Sequence, residues 1–228
     1  KGIAITNMKE SNEIKLLKPD IFIVVAFRML PKILWEIPKK GTINLHASLL
    51  PNLRGAAPIH WAIINGLQKT GVSTFYINEN IDCGEIIEQK KVSISENENT
   101  GELYNKLKKI GALTILSTLE KIDEKDFKSI KQNESKENLK APKLNRENTK
   151  IDWNKPSNEI HDFIRGLNPF PSAWTSITEN KKILKIYKSR RYSSIINEKQ
   201  KPGTIIMNKN ILLISTSSGL IEILELKM

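Results

Sequence analysis

Very little in this chain can cross-link or bind a metal. It has one cysteine, Cys83, among 228 residues. That excludes an intramolecular disulfide, and the three scattered histidines, His46, His60 and His161, cannot complete a zinc set with a single thiol. No metal site is expected, and the thiol usage points to an intracellular, cytoplasmic address. Long apolar runs are lacking as well. The longest, residues 21–30, contains Arg28 and falls short of the ~20 residues that a membrane helix needs. No signal-peptide pattern precedes it, and the chain opens at Lys1 rather than Met.

What is present is enough for one large or two modest domains, with 39% hydrophobic residues to build their cores. Lys and Arg number 36 against 25 Asp and Glu, a net charge of +11. The excess is uneven: residues 1–124 hold 16 basic and 14 acidic side chains, whereas residues 125–228 hold 20 and 11. The second half therefore carries most of it. Either a general bias towards Lys, Asn and Ile or an anionic partner accounts for this, and charge alone does not choose.

The apolar β-branched run at residues 21–27 follows Lys18-Pro-Asp20 and reads as a strand covered on both faces. Residues 42–45 and 72–77 read as two more strands. Between them, residues 57–64 have Pro58 in a first-turn position and stop at Asn65-Gly66, the pattern of a helix. A longer helix is expected over residues 101–122, with Leu103, Leu107, Ile110, Leu113 and Leu119 on its apolar face. Residues 125–147 are poor in apolar side chains and read as a linker. A further helix over 156–167 and short strands at 173–178, 183–187, 204–207, 211–215 and 220–226 follow. The expected fold is α/β, a doubly wound and mostly parallel sheet over residues 1–124, then a small basic β-barrel over residues 148–228.

Chemistry concentrates between Gly41 and Pro58. Asn44 and His46 are two apart, so on a strand both side chains leave the same face. An amide can donate to a developing oxyanion while an imidazole manages protons near neutral pH, a combination suited to acyl transfer. The same two residues also serve as ordinary turn and surface positions. The turn-rich loop Asn78-Glu-Asn-Ile-Asp82-Cys-Gly84 follows the third strand. If the strands are parallel neighbours, Asp82 arrives in the same carboxyl-end crevice as His46, where open α/β sheets bind ligands, and can fix the imidazole's orientation. Cys83 has no independently placed base and is read as a packing residue. His60 and Trp61, on the short helix, are read as core or supporting residues, and His161 as structural or exposed.

Taken together, Asn44-x-His46, Ser48-Leu-Leu-Pro51, Arg54-Gly-Ala-Ala-Pro-Ile59 and the Asp82-x-Gly84 loop resemble the folate-dependent formyltransferases. With Ile151-Asp-Trp153 and residues 164–174, they resemble the branch that formylates methionyl-tRNA rather than the glycinamide ribonucleotide or nucleotide-sugar branches. The resemblance covers nearly the whole chain. It implies Asn44 as the carbonyl-polarising amide, His46 as the catalytic imidazole and Asp82 as its paired carboxylate. It also implies Ser48, Leu49, Leu50 and Pro51 as the folate-contacting loop, with residues 27–30 against the pterin. The implied donor is 10-formyltetrahydrofolate, the acceptor the α-amine of methionyl initiator tRNA, and the C-terminal domain an OB-like barrel that holds the tRNA. A monomer is the expected state. Such proteins start upstream of Lys1 with a strand, a loop and a helix and run past Met228, so truncation at both ends is expected. Formylation of an amino-sugar or nucleotide amine, or a tRNA-binding remnant without catalysis, are the alternatives.

Overall fold

The computed structural model describes residues 8–25, 30–133, 135, 138–177, 182–192, 200–208 and 210–228. Its elements in chain order are α1 (Met8–Leu16), β1 (Phe22–Val25), α2 (Lys32–Trp35), β2 (Thr42–His46), β3 (Arg54–Gly55), α3 (Pro58–Ile64), β4 (Lys69–Tyr76) and β5 (Ile86–Ser93). There follow α4 (Thr100–Ile122), β6 (Lys140–Ala141), α5 (Ser157–Gly166), β7 (Ala173–Ser176), β8 (Ile183–Tyr192), β9 (Ile205–Asn208), β10 (Ile211–Ser215) and β11 (Leu220–Lys227). Two compact units result. One comprises Lys1–Gly55, Gly71–Lys91 and Leu107–Lys140, the other Ala56–Thr70, Val92–Lys106 and Ala141–Met228. The second unit takes in α3 and the start of α4 together with the C-terminal residues.

The first unit holds a sheet in the order β1-β2-β4-β5. β1 pairs parallel to β2, from Phe22 opposite Thr42 to Val25 opposite Leu45. β4 runs antiparallel to β2, with Ile43 opposite Tyr76 and His46 opposite Ser73. The sheet is thus α/β and mixed, and the parallel arrangement expected for the third strand is corrected. In β1 only Val24 is buried, while Ile23 and Val25 are exposed. β5 was not anticipated, since Glu88 to Lys91 interrupt its apolar pattern. The turn joining β4 to β5 is tight at Gly84, where a Cβ would stand 1.6 Å from the Tyr76 carbonyl oxygen.

α4 begins with a capping box: Asn99 Oδ1 accepts from the Glu102 amide at 3.0 Å, and Glu102 Oε2 from the Asn99 amide at 2.9 Å. Within the first unit its buried stripe is Leu107, Thr114 and Thr118, with Gly111 between them. Leu113 lies outside that stripe and is exposed, contrary to expectation. A Cβ at Gly111 would come within 2.8 Å of Leu45 Cδ2, so close approach to β2 selects small residues for this face. Thr118 then hydrogen-bonds Thr74 of β4 at 2.7 Å.

The second unit is organised around an open, antiparallel five-stranded sheet in the order β7-β8-β11-β10-β9, an OB-like arrangement. α5 places Ile160 and Ile164 in a core with Leu167, Ile186, Ile221 and Ile223. Gly166 lets α3 approach, because a Cβ there would meet Ile64 Cγ1 at 2.7 Å. Lys185, Lys188, Arg190 and Arg191 of β8 are exposed. Arg190 is held by Glu222 at 2.7 Å and Arg191 pairs with Glu96, so these two cations are partly neutralised in place.

Candidate active site

Asn44 and His46 share one face of β2, as their spacing requires. His46, the last residue of the strand, is buried, and its Nε2–H donates to the carbonyl of Leu53 at 2.9 Å. That bond fixes the neutral ring's tautomer and leaves Nδ1 with the lone pair. Asp82 Oδ2 stands 3.7 Å from Nδ1, with the Asp82 side chain only 13% exposed. A proton gained at Nδ1 would therefore lie beside a carboxylate. Asn44 is half-buried, and among the described residues its carboxamide has no hydrogen-bond partner.

Asp82 does not reach His46 by ending a parallel neighbour, since the carboxyl end of β4 lies beside the start of β2. The loop after β4 instead bends back. Asp82 adopts a left-handed backbone, φ 54°, and its Oδ2 accepts the Gly55 amide at 2.9 Å. A second brace comes from residues expected to be a linker. Gln132 Nε2 donates to the carbonyls of Asp82 at 2.9 Å and Gly84 at 2.7 Å, while its Oε1 accepts from Arg54 at 2.6 Å. Leu139, from the same stretch, accepts the Leu53 amide at 2.7 Å. Leu53 is itself left-handed, φ 61°. L-residues hold that conformation only when their surroundings impose it. The segment is therefore structural support for both His46 and Asp82.

Of the expected folate loop, Ser48 and Leu50 point inward. Ser48 is fully buried and donates to the Asn52 carbonyl at 2.6 Å, and Leu50 packs with Phe75 and Ile86. Leu49 and Pro51 are half-buried. Ser73 of β4 ties the loop down: its Oγ donates to the Ser48 carbonyl at 2.6 Å and accepts from the Leu50 amide at 3.1 Å and Gln89 Nε2 at 2.8 Å. Ser48 and Leu50 thus shape the loop, and Leu49 packs against β4, where a Cβ at Gly71 would meet its Cδ2 at 2.6 Å. Leu30 is half-buried, whereas residues 26–29, expected against the pterin, lie outside the described residues. Cys83 donates to the Ile81 carbonyl at 3.1 Å.

Sequence reading missed Leu53, Ser73, Gln89 and Gln132. None carries a motif signal of its own, because each acts through a backbone group supplied by another segment. In the second unit His60 Nε2–H donates to the Phe170 carbonyl at 3.0 Å, and Trp61 Nε1–H to the Pro142 carbonyl at 2.8 Å, the supporting roles expected of them. His161 is buried against Ser189 at 3.1 Å. No helix among the described residues is long and apolar enough to cross a membrane.

The chain is similar to known proteins along almost its whole length. Residues 5–119 match the formyl transferase family and residues 143–228 the formyl transferase C-terminal domain. A methionyl-tRNA formyltransferase of Flavobacterium johnsoniae is 43% identical, the match covering 98% of this chain and 72% of that protein. One from Bacteroides fragilis is 41% identical, over 92% and 67%. An N-formyltransferase from Helicobacter canadensis, solved with folinic acid and dTDP-3-aminofucose, superposes with a TM-score of 0.71 at 26% identity, covering 96% of this chain and 77% of that one. HypX from Aquifex aeolicus shares the fold, with a TM-score of 0.70 at 22% identity over 95% and 37% of the two chains. The chain belongs to the formyl transferase family.

Proposed function

We propose that this formyl transferase family member transfers a formyl group from 10-formyltetrahydrofolate to the α-amine of methionyl initiator tRNA, acting as a monomer in the cytoplasm. The single observation that carries the reading is His46, anchored through Nε2 with Nδ1 beside Asp82, on the same strand face as an Asn44 amide that has no partner among the described residues. A formyl oxygen is an acceptor, and an unpaired carboxamide donor is what it requires. In this reading residues 1–124 supply the chemistry and residues 148–228 hold the tRNA.

The amine attacks the formyl carbon directly, forming the new C–N bond as the bond to folate nitrogen breaks. Asn44 donates to the formyl oxygen as charge develops on it. His46 Nδ1 takes the proton that the amine loses and returns it to the departing folate nitrogen, and the Asp82 carboxylate stabilises the imidazolium that exists in between. The tRNA-directed branch is supported by the identity to methionyl-tRNA formyltransferases along almost the whole chain. Single-turnover formylation of methionyl-tRNA at saturating donor tests the reading against a dTDP-amino sugar acceptor. Transfer to the tRNA that His46→Ala slows by a factor on the order of 10² is the expected result. Transfer to the sugar alone, or equal rates for both enzymes, would remove it.

A further inference from the structure

The second unit contains a cavity of about 540 Å³ that no step above uses. This lies within the ~300–1,000 Å³ typical of small-molecule sites. Its lining is largely carbon, with Phe170 and Trp174 as aromatic members, Lys143, Arg146 and Lys185 as cations, and no acidic side chain among the described residues. Phe170 is 78% exposed, yet it is not on a loose loop. Its carbonyl accepts from His60 Nε2, the Ser172 amide donates to the Leu167 carbonyl at 2.9 Å, and Asn168 Nδ2 donates to the Tyr187 carbonyl at 2.5 Å. A rigid aromatic ring held in water carries an unfavourable apolar area unless something stacks on it.

The cations are equally well placed. Trp174 Nε1–H donates to the Arg146 carbonyl at 2.8 Å, and the Arg146 guanidinium carbon lies 5.3 Å from the Trp174 ring centroid. Arg146 is thereby ordered along the wall rather than free in solvent. Lys185 is an exposed residue of β8 that adds a second strand-borne wall to the cavity beside Trp174 of β7. An apolar, aromatic-walled cavity lined by three cations matches a planar base attached to a phosphate.

We propose that this cavity holds one unpaired nucleotide of the bound tRNA, its base stacked on Phe170 and its phosphate between Lys143, Arg146 and Lys185. The inference rests on the tRNA reading above. His60, which also lines the cavity, is held there by its Nε2 bond to the Phe170 carbonyl.

The test uses the full chain with two probes, an initiator tRNA transcript titrated at several salt concentrations and AMP followed by ligand-observed NMR. Phe170→Ala is expected to weaken tRNA binding about tenfold with an unchanged salt slope, because stacking releases no counterion. Phe170→Tyr should restore it. Lys185→Gln should weaken binding and make the slope shallower by about 0.7, one phosphate contact on a single strand. AMP should bind the wild type weakly and lose that binding in Phe170→Ala. If the wild type binds tRNA and neither variant changes it, the cavity proposal is overturned while the tRNA reading stands. If the wild type binds AMP through Phe170 but not tRNA, the tRNA reading fails and the site is one for free nucleotides. Absence of both overturns the proposal.

Discussion

Gln132 donates to the backbone carbonyl of Asp82 at 2.9 Å, so a residue from the most polar stretch of the chain sets the position of the proposed catalytic carboxylate. Replacing Gln132 with Ala removes this bond together with those to Gly84 and Arg54. Turnover is expected to fall roughly 10- to 100-fold, the usual cost of displacing a catalytic group slightly. The KM for methionyl-tRNA should hardly change. Steady-state kinetics separate the two, and a pure KM effect would place Gln132 in substrate binding instead.

Asp82→Asn keeps an acceptor for the Gly55 amide but removes the negative charge facing His46. Thermal stability should stay close to wild type while single-turnover formyl transfer slows by a factor on the order of 10². An unaltered rate would reduce Asp82 to a loop anchor.

Asn44→Ala gives the opposite dissociation from a packing residue. Its amide has no partner among the described residues, so unfolding by urea should be nearly unchanged, within about 0.5 kcal/mol. The transfer rate should fall by roughly 10²–10³, as for loss of one oxyanion donor. Loss of stability with a normal rate would contradict the assignment.

Ser73 is fully buried and makes two hydrogen bonds that pin residues 48–50, and it accepts a third from Gln89. Ser73→Ala strands the Leu50 amide and should cost about 1–3 kcal/mol in chemical denaturation. Folate affinity, measured by titration, should weaken as well because Leu49 and Pro51 lose their support. A stable variant with wild-type folate binding would show that the loop holds itself.

His161 predicts a pH effect on stability. Burial lowers its pKa from the ordinary 6.5, with the Asp162 carboxylate opposing that shift and the Arg165 guanidinium adding to it. The unfolded chain therefore binds the proton first as pH falls. Its stability contribution is complete above about pH 6.5 and declines as pH drops through that value towards the lowered folded pKa. Urea midpoints at pH 7.5 and 5 should fall further for wild type than for His161→Asn, and parallel declines would exclude this residue as the cause.

How much was legible in the sequence depends on whether a property is carried by one segment. The spacing of Asn44 and His46 fixed their shared face, because a strand alternates sides regardless of its neighbours. Pro58 and Asn65-Gly66 similarly bounded α3, and the uneven charge located the basic half. Strand direction was different: whether β4 runs with or against β2 depends on the path of the connection, and that reversed the route by which Asp82 meets His46. The polar composition of residues 125–147 described their exposure correctly in part, but a side-chain amide such as Gln132 bonds whichever carbonyls lie near, and those belong to residues some fifty positions earlier. Likewise the stripe of α4 that faces the sheet follows Gly111 and the threonines, since Leu45 leaves no room for larger side chains there. Local periodicity and motif chemistry were therefore set by the sequence alone, whereas the pairing of His46 with Asp82, and the bonds holding each, exist only once distant segments share one packed site.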